Sequence, residues 1–222
     1  MTTHRDQKFL MSNPELSHQF ETLDQQAEAS SLGMWVFLVT EALFFGGLFL
    51  LYTIYRLKFP EIFMECSKLM DLRLGAINTG ILLTSSLTMV FAVHSSEKAE
   101  KNSTVIWILV TMLLGIAFLS IKGFEYHQKV TEHLVPGPTF QLDSMHYREA
   151  QIFFSLYFAM TGLHALHMIV GLGVLAVIAA MASAGRFTRT YSNPVHIVGL
   201  YWHFIDIIWI FLFPLLYLIG NR

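Results

Sequence analysis

A chain of 222 residues that is 54% hydrophobic and only 14% charged departs from the soluble norm of about 45–50% apolar and about 25% charged residues. With a mean hydropathy of +0.52, lipid is its expected solvent. A formal net charge of −2, with the cations scattered singly, leaves no basic patch for nucleic acid. Cys66 is the only cysteine, which excludes an intramolecular disulfide, a Cys-x-x-Cys metal knuckle and an iron–sulfur ligand set from this chain alone and leaves a structural thiol.

Residues 1–30 read as a polar N-terminal tail carrying Glu15, Glu21, Asp24 and Glu28. A secretory signal would be shorter, closer to the start and preceded by Lys or Arg. Residues 31–222 form one membrane domain with spans at about 32–55, 72–95, 104–124, 149–183 and 194–219, each meeting the roughly 20 apolar residues that cross a bilayer. Backbone groups in lipid must bond within their own segment, so the expected fold is all-α, a polytopic bundle of five transmembrane helices. The fourth segment is longer than the hydrocarbon is thick, which predicts tilt or an extension into water ending near Gly185 and Arg186.

The connections hold the breakers: Pro60 in the first, Ser95-Ser96-Glu97-Lys98 in the second, Pro136-Gly137-Pro138 in the third and longest, and Ser192-Asn193-Pro194 before the last helix. No internal repeat or low-complexity tract interrupts them. Of the 14 Lys and Arg, six (Arg5, Lys8, Lys98, Lys101, Arg186, Arg189) fall on the side of the N-terminus and the others on the opposite side. The positive-inside rule therefore does not orient the chain.

A lone charge at bilayer depth costs about 2.5–3.5 kcal/mol on insertion scales, so ionisable residues inside spans mark candidate sites. Glu41 lies mid-span between Phe37 and Phe45, either as a proton-exchange or lipid-headgroup group or as a polar clasp between helices. His164 and His167, spaced i,i+3 with Gly171 four residues on, line a face that another backbone can approach. A haem would need ligands from facing helices and a di-iron bundle would need Glu-x-x-His pairs. Within the spans neither Glu-x-x-His nor His-Glu-x-x-His occurs, so no metal site is assigned. His203 and Asp206 repeat the i,i+3 spacing within Tyr201-Trp202-His203-Phe204-Ile205-Asp206. Asp206 falls at the depth of Glu41, which suggests a polar cluster joining the first, fourth and fifth spans as a hydrogen-bonded packing network. Asn78, Thr79, Thr84, Ser85, Ser86 and Thr88, and Gly46-Gly47, are read as helix-packing positions, with Trp35, Trp107, Trp202, Trp209 and Tyr217 divided between interfacial anchors and bundle contacts.

Five strings then become specific. Gly33-Met34-Trp35-Val36-Phe37-Leu38-Val39-Thr40-Glu41-Ala42-Leu43-Phe44-Phe45, Ile77-Asn78-Thr79-Gly80-Ile81-Leu82-Leu83-Thr84-Ser85-Ser86, Phe124-Glu125-Tyr126, Thr161-Gly162-Leu163-His164-Ala165-Leu166-His167-Met168-Ile169-Val170-Gly171 and Tyr201-Trp202-His203-Phe204-Ile205-Asp206-Ile207-Ile208-Trp209, one per span and in order, resemble subunit III of cytochrome c oxidase and related haem-copper terminal oxidases. The resemblance covers nearly everything after residue 30 and departs from the seven-helix form of that family in having five spans.

It implies a non-catalytic accessory subunit of a proton-pumping oxidase, with no catalytic, cofactor or metal residues in this chain. Haem and copper are then expected in the partner subunits, subunit I as the main contact, subunit II and smaller subunits beside it, and phospholipid bound. Glu41, Asn78, His164, His167, Trp202, His203 and Asp206 become a lipid-binding or structural polar cluster. The expected location is a bacterial inner membrane, with the N-terminus cytoplasmic and the C-terminus periplasmic. Phe153-Phe154-Ser155-Leu156-Tyr157-Phe158-Ala159-Met160-Thr161 looks like the cytochrome c branch rather than the quinol or nitric oxide reductase branches. Two competing classes are a haem-bearing quinone oxidoreductase ligated by His164 or His167 with His203, and a proton-coupled transporter using Glu41 and Asp206, for which two matching halves with broken helices would be expected.

Overall fold

A computed structural model describes residues 19–20, 22–138, 140, 147–188 and 191–220. The Lys and Arg of the tail, Arg189 and Arg222 lie outside the described residues. The described chain is helical, in the order α1 (Leu23–Lys58), α2 (Pro60–Lys68), α3 (Leu72–Glu97), α4 (Lys101–Thr131), α5 (Tyr147–Ser183) and α6 (Asn193–Phe213), which runs on into a π-helical turn at Pro214–Leu218. Five of these are long and apolar enough to cross a membrane; α2 is the exception.

The helix ends follow from local chemistry. Thr22 caps α1 by accepting the Gln25 N–H on its hydroxyl at 3.2 Å, so the helix starts nine residues before the apolar block and carries part of the polar tail. Asp24 in its first turn and Arg56 and Lys58 in its last complement the helix dipole. Pro60 disfavours helical geometry at Phe59 (φ −131°, ψ 59°). The same proline needs no N–H at the start of α2, so the breaker opens a short helix that the apolar pattern does not announce. Asp71 caps α3 through the N–H groups of Arg73 and Leu74 at 2.9 and 3.1 Å. The 37-residue α5, about 55 Å long at 1.5 Å per residue, ends where expected. Gly185 takes φ +71°, and the Arg186 N–H bonds back to the Met181 carbonyl at 3.2 Å.

Helices α3 to α6 form the bundle core, with α3 packed on α4 and α6, and α5 on α4 and α6. Helix α1 lies outside against α5 and α6. Half of the apolar window of α6 is buried (50%) against 11% for α1, which makes α6 the central helix. Two glycines admit its largest side chain. A Cβ at Gly115 would stand 3.0 Å from the Trp202 ring, and one at Gly171 would stand 3.1 Å from it. The small residue at 171 therefore receives an aromatic ring rather than the approaching backbone that its spacing suggests. Gly46 and Gly47 meet nothing within 4 Å, so the close approach read from them has no partner among the described residues.

Helix α2 caps the far end of the bundle. Pro214 removes an N–H from the helix ladder, and the turn that follows is π-helical. The last carbonyls of α6 are then satisfied from outside: the Tyr52 hydroxyl donates to the Leu215 carbonyl at 2.5 Å and the Ser67 hydroxyl to Leu216 at 2.8 Å. The Ser67 oxygen also accepts the Gly220 N–H at 3.2 Å, inserting itself where a helical turn would have closed. At that contact a Cβ on Gly220 would sit 2.5 Å from the Met64 carbonyl oxygen. Cys66, on the same helix, is buried, and burial pushes its thiol up to about 12, with the Glu65 charge adding to the rise.

Candidate functional site, two polar clasps inside the bundle

The ionisable residues of the spans divide into separate groups. Glu41 Oε2 on α1 lies 3.1 Å from His167 Nε2 on α5 in a hydrogen-bonded pair, both side chains being partly buried. The other ring nitrogen, Nδ1, lies 2.9 Å from the Leu163 carbonyl one turn back, to which it can only donate. Tyr201 on α6 donates to the His167 carbonyl at 3.0 Å, and Phe45 packs on the imidazole with ring centres 5.5 Å apart. This clasp ties α1 to α5 and α6.

Asp206 is indeed level with Glu41, because Phe37 meets Tyr201 and Phe49 meets Phe211 on either side of them. It does not join Glu41. The α3/α6 seam holds it instead, beside Ser86, whose hydroxyl is 2.7 Å from His203 Nδ1. His164 does not share a site with His167. Its ring is buried, between Phe118 (5.4 Å) and Trp209 (5.2 Å). The single polar cluster expected across the first, fourth and fifth spans is thus resolved into an α1/α5/α6 clasp, an α3/α6 pair and an enclosed His164. The reason is helical phase: residues three apart share a face but differ by about 60° in direction, enough to aim each at a different neighbour.

Trp202 and Asn78 sit in the α3 seam. The Trp202 indole N–H donates to Ser85 Oγ at 3.0 Å, and the Trp209 indole donates to Thr79 Oγ1 at 3.1 Å. Asn78 is fully buried. Among the described residues no group of three or more His, Cys, Asp or Glu side chains converges as metal ligands would.

The second clasp was not visible in the apolar pattern. Lys122 and Glu125 of α4 are buried and bonded at 2.9 Å. The Tyr157 and Tyr217 hydroxyls donate to Glu125 Oε1 at 2.9 and 2.5 Å, and the Lys122 ammonium also donates to the Tyr217 oxygen. That ammonium lies over the rings of Trp209 (4.6 Å), Tyr217 (4.9 Å) and Tyr157 (5.6 Å), so three helices close an aromatic box around one ion pair. One turn on, Lys129 donates to the Leu69 carbonyl at 2.8 Å and to Glu132 at 2.6 Å. The span read from the sequence, 104–124, contains Lys122 near its end and leaves Glu125 and Lys129 outside, and both lysines enter the Lys and Arg count of the face opposite the N-terminus, yet all three residues belong to the interior face Ile108, Thr111, Gly115, Phe118, Lys122, Glu125, Lys129. The alternating steps of three and four were the available signal. Removing these two lysines from the count leaves the two membrane faces evenly matched in Lys and Arg.

Fold and interior together define a multi-pass α-helical membrane protein in which buried ionisable groups serve mainly to join helices. The sequence pattern of the family described as cytochrome c oxidase subunit III matches residues 22–221. The chain is 31% identical to the probable quinol oxidase subunit 3 of Staphylococcus haemolyticus, over 92% of this chain and 98% of that one. Similarity extends to cytochrome c oxidase subunit 3 of Synechocystis sp. (35% identity; 84% and 74% covered) and to cytochrome bo(3) ubiquinol oxidase subunit 3 of Pseudomonas aeruginosa (29%; 99% and 99%). The chain belongs to the cytochrome c oxidase subunit III family. It is accordingly a subunit of a multi-subunit bacterial haem-copper oxidase of the cytochrome c or quinol type.

Proposed function

We propose that this chain is an accessory subunit without redox cofactors that stabilises subunit I of a proton-pumping cytochrome c oxidase. The observation that carries this reading is the fate of its membrane histidines. His164 is enclosed by aromatic rings, His167 is bonded to Glu41 and its own helix, and His203 to Ser86. No two of them are offered to one ligand across the bundle, as the competing haem-bearing class would require. Haem and copper then belong to the partner subunits.

The broad apolar surface of α1, with Leu32, Trp35, Val39, Leu43, Phe44 and Leu50 exposed, suits phospholipid and neighbouring helices. The subunit sits in the bacterial inner membrane with its N-terminus in the cytoplasm and its C-terminus in the periplasm, next to subunit I and in one complex with subunit II. The donor is cytochrome c, a reading supported by the Phe153–Thr161 string and by the 35% identity to the Synechocystis cytochrome c oxidase subunit. The near full-length match to the Pseudomonas ubiquinol oxidase subunit favours a quinol donor as the second reading.

Depletion of this chain from the purified oxidase tests the role. Initial oxygen consumption persists and activity decays faster during sustained turnover; immediate loss of all turnover refutes it. Supplying the complex with reduced cytochrome c or with a quinol separates the two donors.

A further inference from the structure

Three buried side chains take no part in either clasp. Asn78, His164 and Asp206 are 0%, 1% and 3% exposed, and among the described residues no protein group lies in hydrogen-bonding geometry to their side-chain nitrogen and oxygen atoms, Ser86 being the nearest hydroxyl to Asp206. Trp209 links their positions: its ring lies 5.2 Å from that of His164, tilted by 37°, its indole N–H donates to Thr79, the residue after Asn78, and Asp206 lies one turn before it on α6.

We propose that this part of the bundle interior is a water-binding site, in which Asn78, His164 and Asp206 each hydrogen-bond an ordered internal water molecule. Buried polar groups are paired in the great majority of cases, with protein or with bound water, and internal waters typically make about three hydrogen bonds. The nearest hydroxyls have other partners: Ser86, beside Asp206, contacts His203 Nδ1 at 2.7 Å, and Thr79 accepts from the Trp209 indole at 3.1 Å and donates to the Gly75 carbonyl at 2.9 Å. The chemistry of the three groups selects the ligand. A carboxyl group accepts and, when protonated, also donates, an amide does both, and a neutral imidazole offers one donor and one acceptor. A metal or alkali cation would serve Asp206 but not the amide N–H₂ or the imidazole N–H, and the Lys122 ammonium 4.6 Å from the Trp209 ring opposes a second positive charge nearby. Water both donates and accepts, and is small enough to lie between packed helices. The site is independent of the electron donor and of the accessory role.

The test is a cryo-electron microscopy map of the intact oxidase at a resolution that shows solvent. The expected result is density about 2.7–3.2 Å from the Asn78 amide, the His164 ring nitrogens and the Asp206 carboxyl. Infrared spectra provide a second measurement: a water band that shifts in H₂¹⁸O is present in the parent and in Asp206→Asn and absent in Asp206→Leu. The proposal is overturned if the three side chains bond backbone carbonyls or one another with no solvent density, if the density lies at the roughly 2.0–2.4 Å of metal coordination, or if no H₂¹⁸O-sensitive band distinguishes the parent from Asp206→Leu.

Discussion

Replacing Lys122 by Met leaves the Glu125 carboxylate buried with two tyrosine donors and no opposing charge, whereas replacing Glu125 by Gln strands the ammonium among three aromatic rings. Breaking a buried pair by removing one partner costs about 3–5 kcal/mol, because the remaining charge stays dry. For a chain of this size each kcal/mol moves a thermal midpoint by about 2–4 °C, so each single variant should melt roughly 6–20 °C lower. The double variant Lys122→Met with Glu125→Gln is neutral. Its amide oxygen still accepts from Tyr157 and Tyr217, so it should lose less than either single change. Melting of the intact complex, followed by Trp fluorescence or by size-exclusion chromatography after heating, reads all three. Additive losses in the double variant, or single variants within about 1 kcal/mol of the parent, would refute the reasoning that the pair acts as one buried unit.

Other outcomes follow from the remaining contacts. Glu41→Gln keeps a hydrogen-bonding partner for His167 and should leave initial oxygen reduction unchanged, while Glu41→Ala loosens α1 by about 1–3 kcal/mol, measured as faster inactivation and altered bound lipid. Gly220→Ala forces a Cβ against the Met64 carbonyl at 2.5 Å and should cost about 1–3 kcal/mol of stability, measured as a lower melting midpoint. Gly47→Ala, which meets nothing, should be neutral or slightly stabilising in the isolated chain through helix propensity of about 0.5–1 kcal/mol. Cys66, with its thiol raised from an ordinary 9.0 to about 12, should resist maleimide in the folded chain at pH 8 and react once it is unfolded. The sign is fixed by the neutral form being the folded one: stability is full below about 9 and falls as pH rises toward about 12, seen as a midpoint that drops over that window less in Cys66→Ala.

What could be read without coordinates was what depends on solvent and helical length. Five spans follow from uninterrupted apolar runs, and Gly185 marked the end of α5 because a left-handed cap needs no neighbour to specify it. The partners of the site residues were less accessible. The depth of Asp206 can be counted from the membrane face, but facing directions depend on the rotation of each helix about its axis, which the packing of Trp202 between Gly115 and Gly171 sets. Lys122 and Glu125 fall at the end of an apolar run, where an average over a window weighs a lysine as hydrated. Its pairing with a carboxylate one turn away, and with tyrosines from two other helices, is a tertiary property. Helix α2 was hidden for the opposite reason, being short, half polar and opened by the proline that reads as a break.

The central claim is that this polytopic subunit carries no chromophore and stands beside a haem-copper catalyst. Affinity isolation of the chain from its native membranes, followed by mild dissociation and an optical spectrum of each fraction, tests it most directly. The account predicts that a haem-bearing subunit I and a subunit II co-purify by mass spectrometry and that the Soret band leaves with them. A Soret band or copper signal stoichiometric with the separated chain would contradict it.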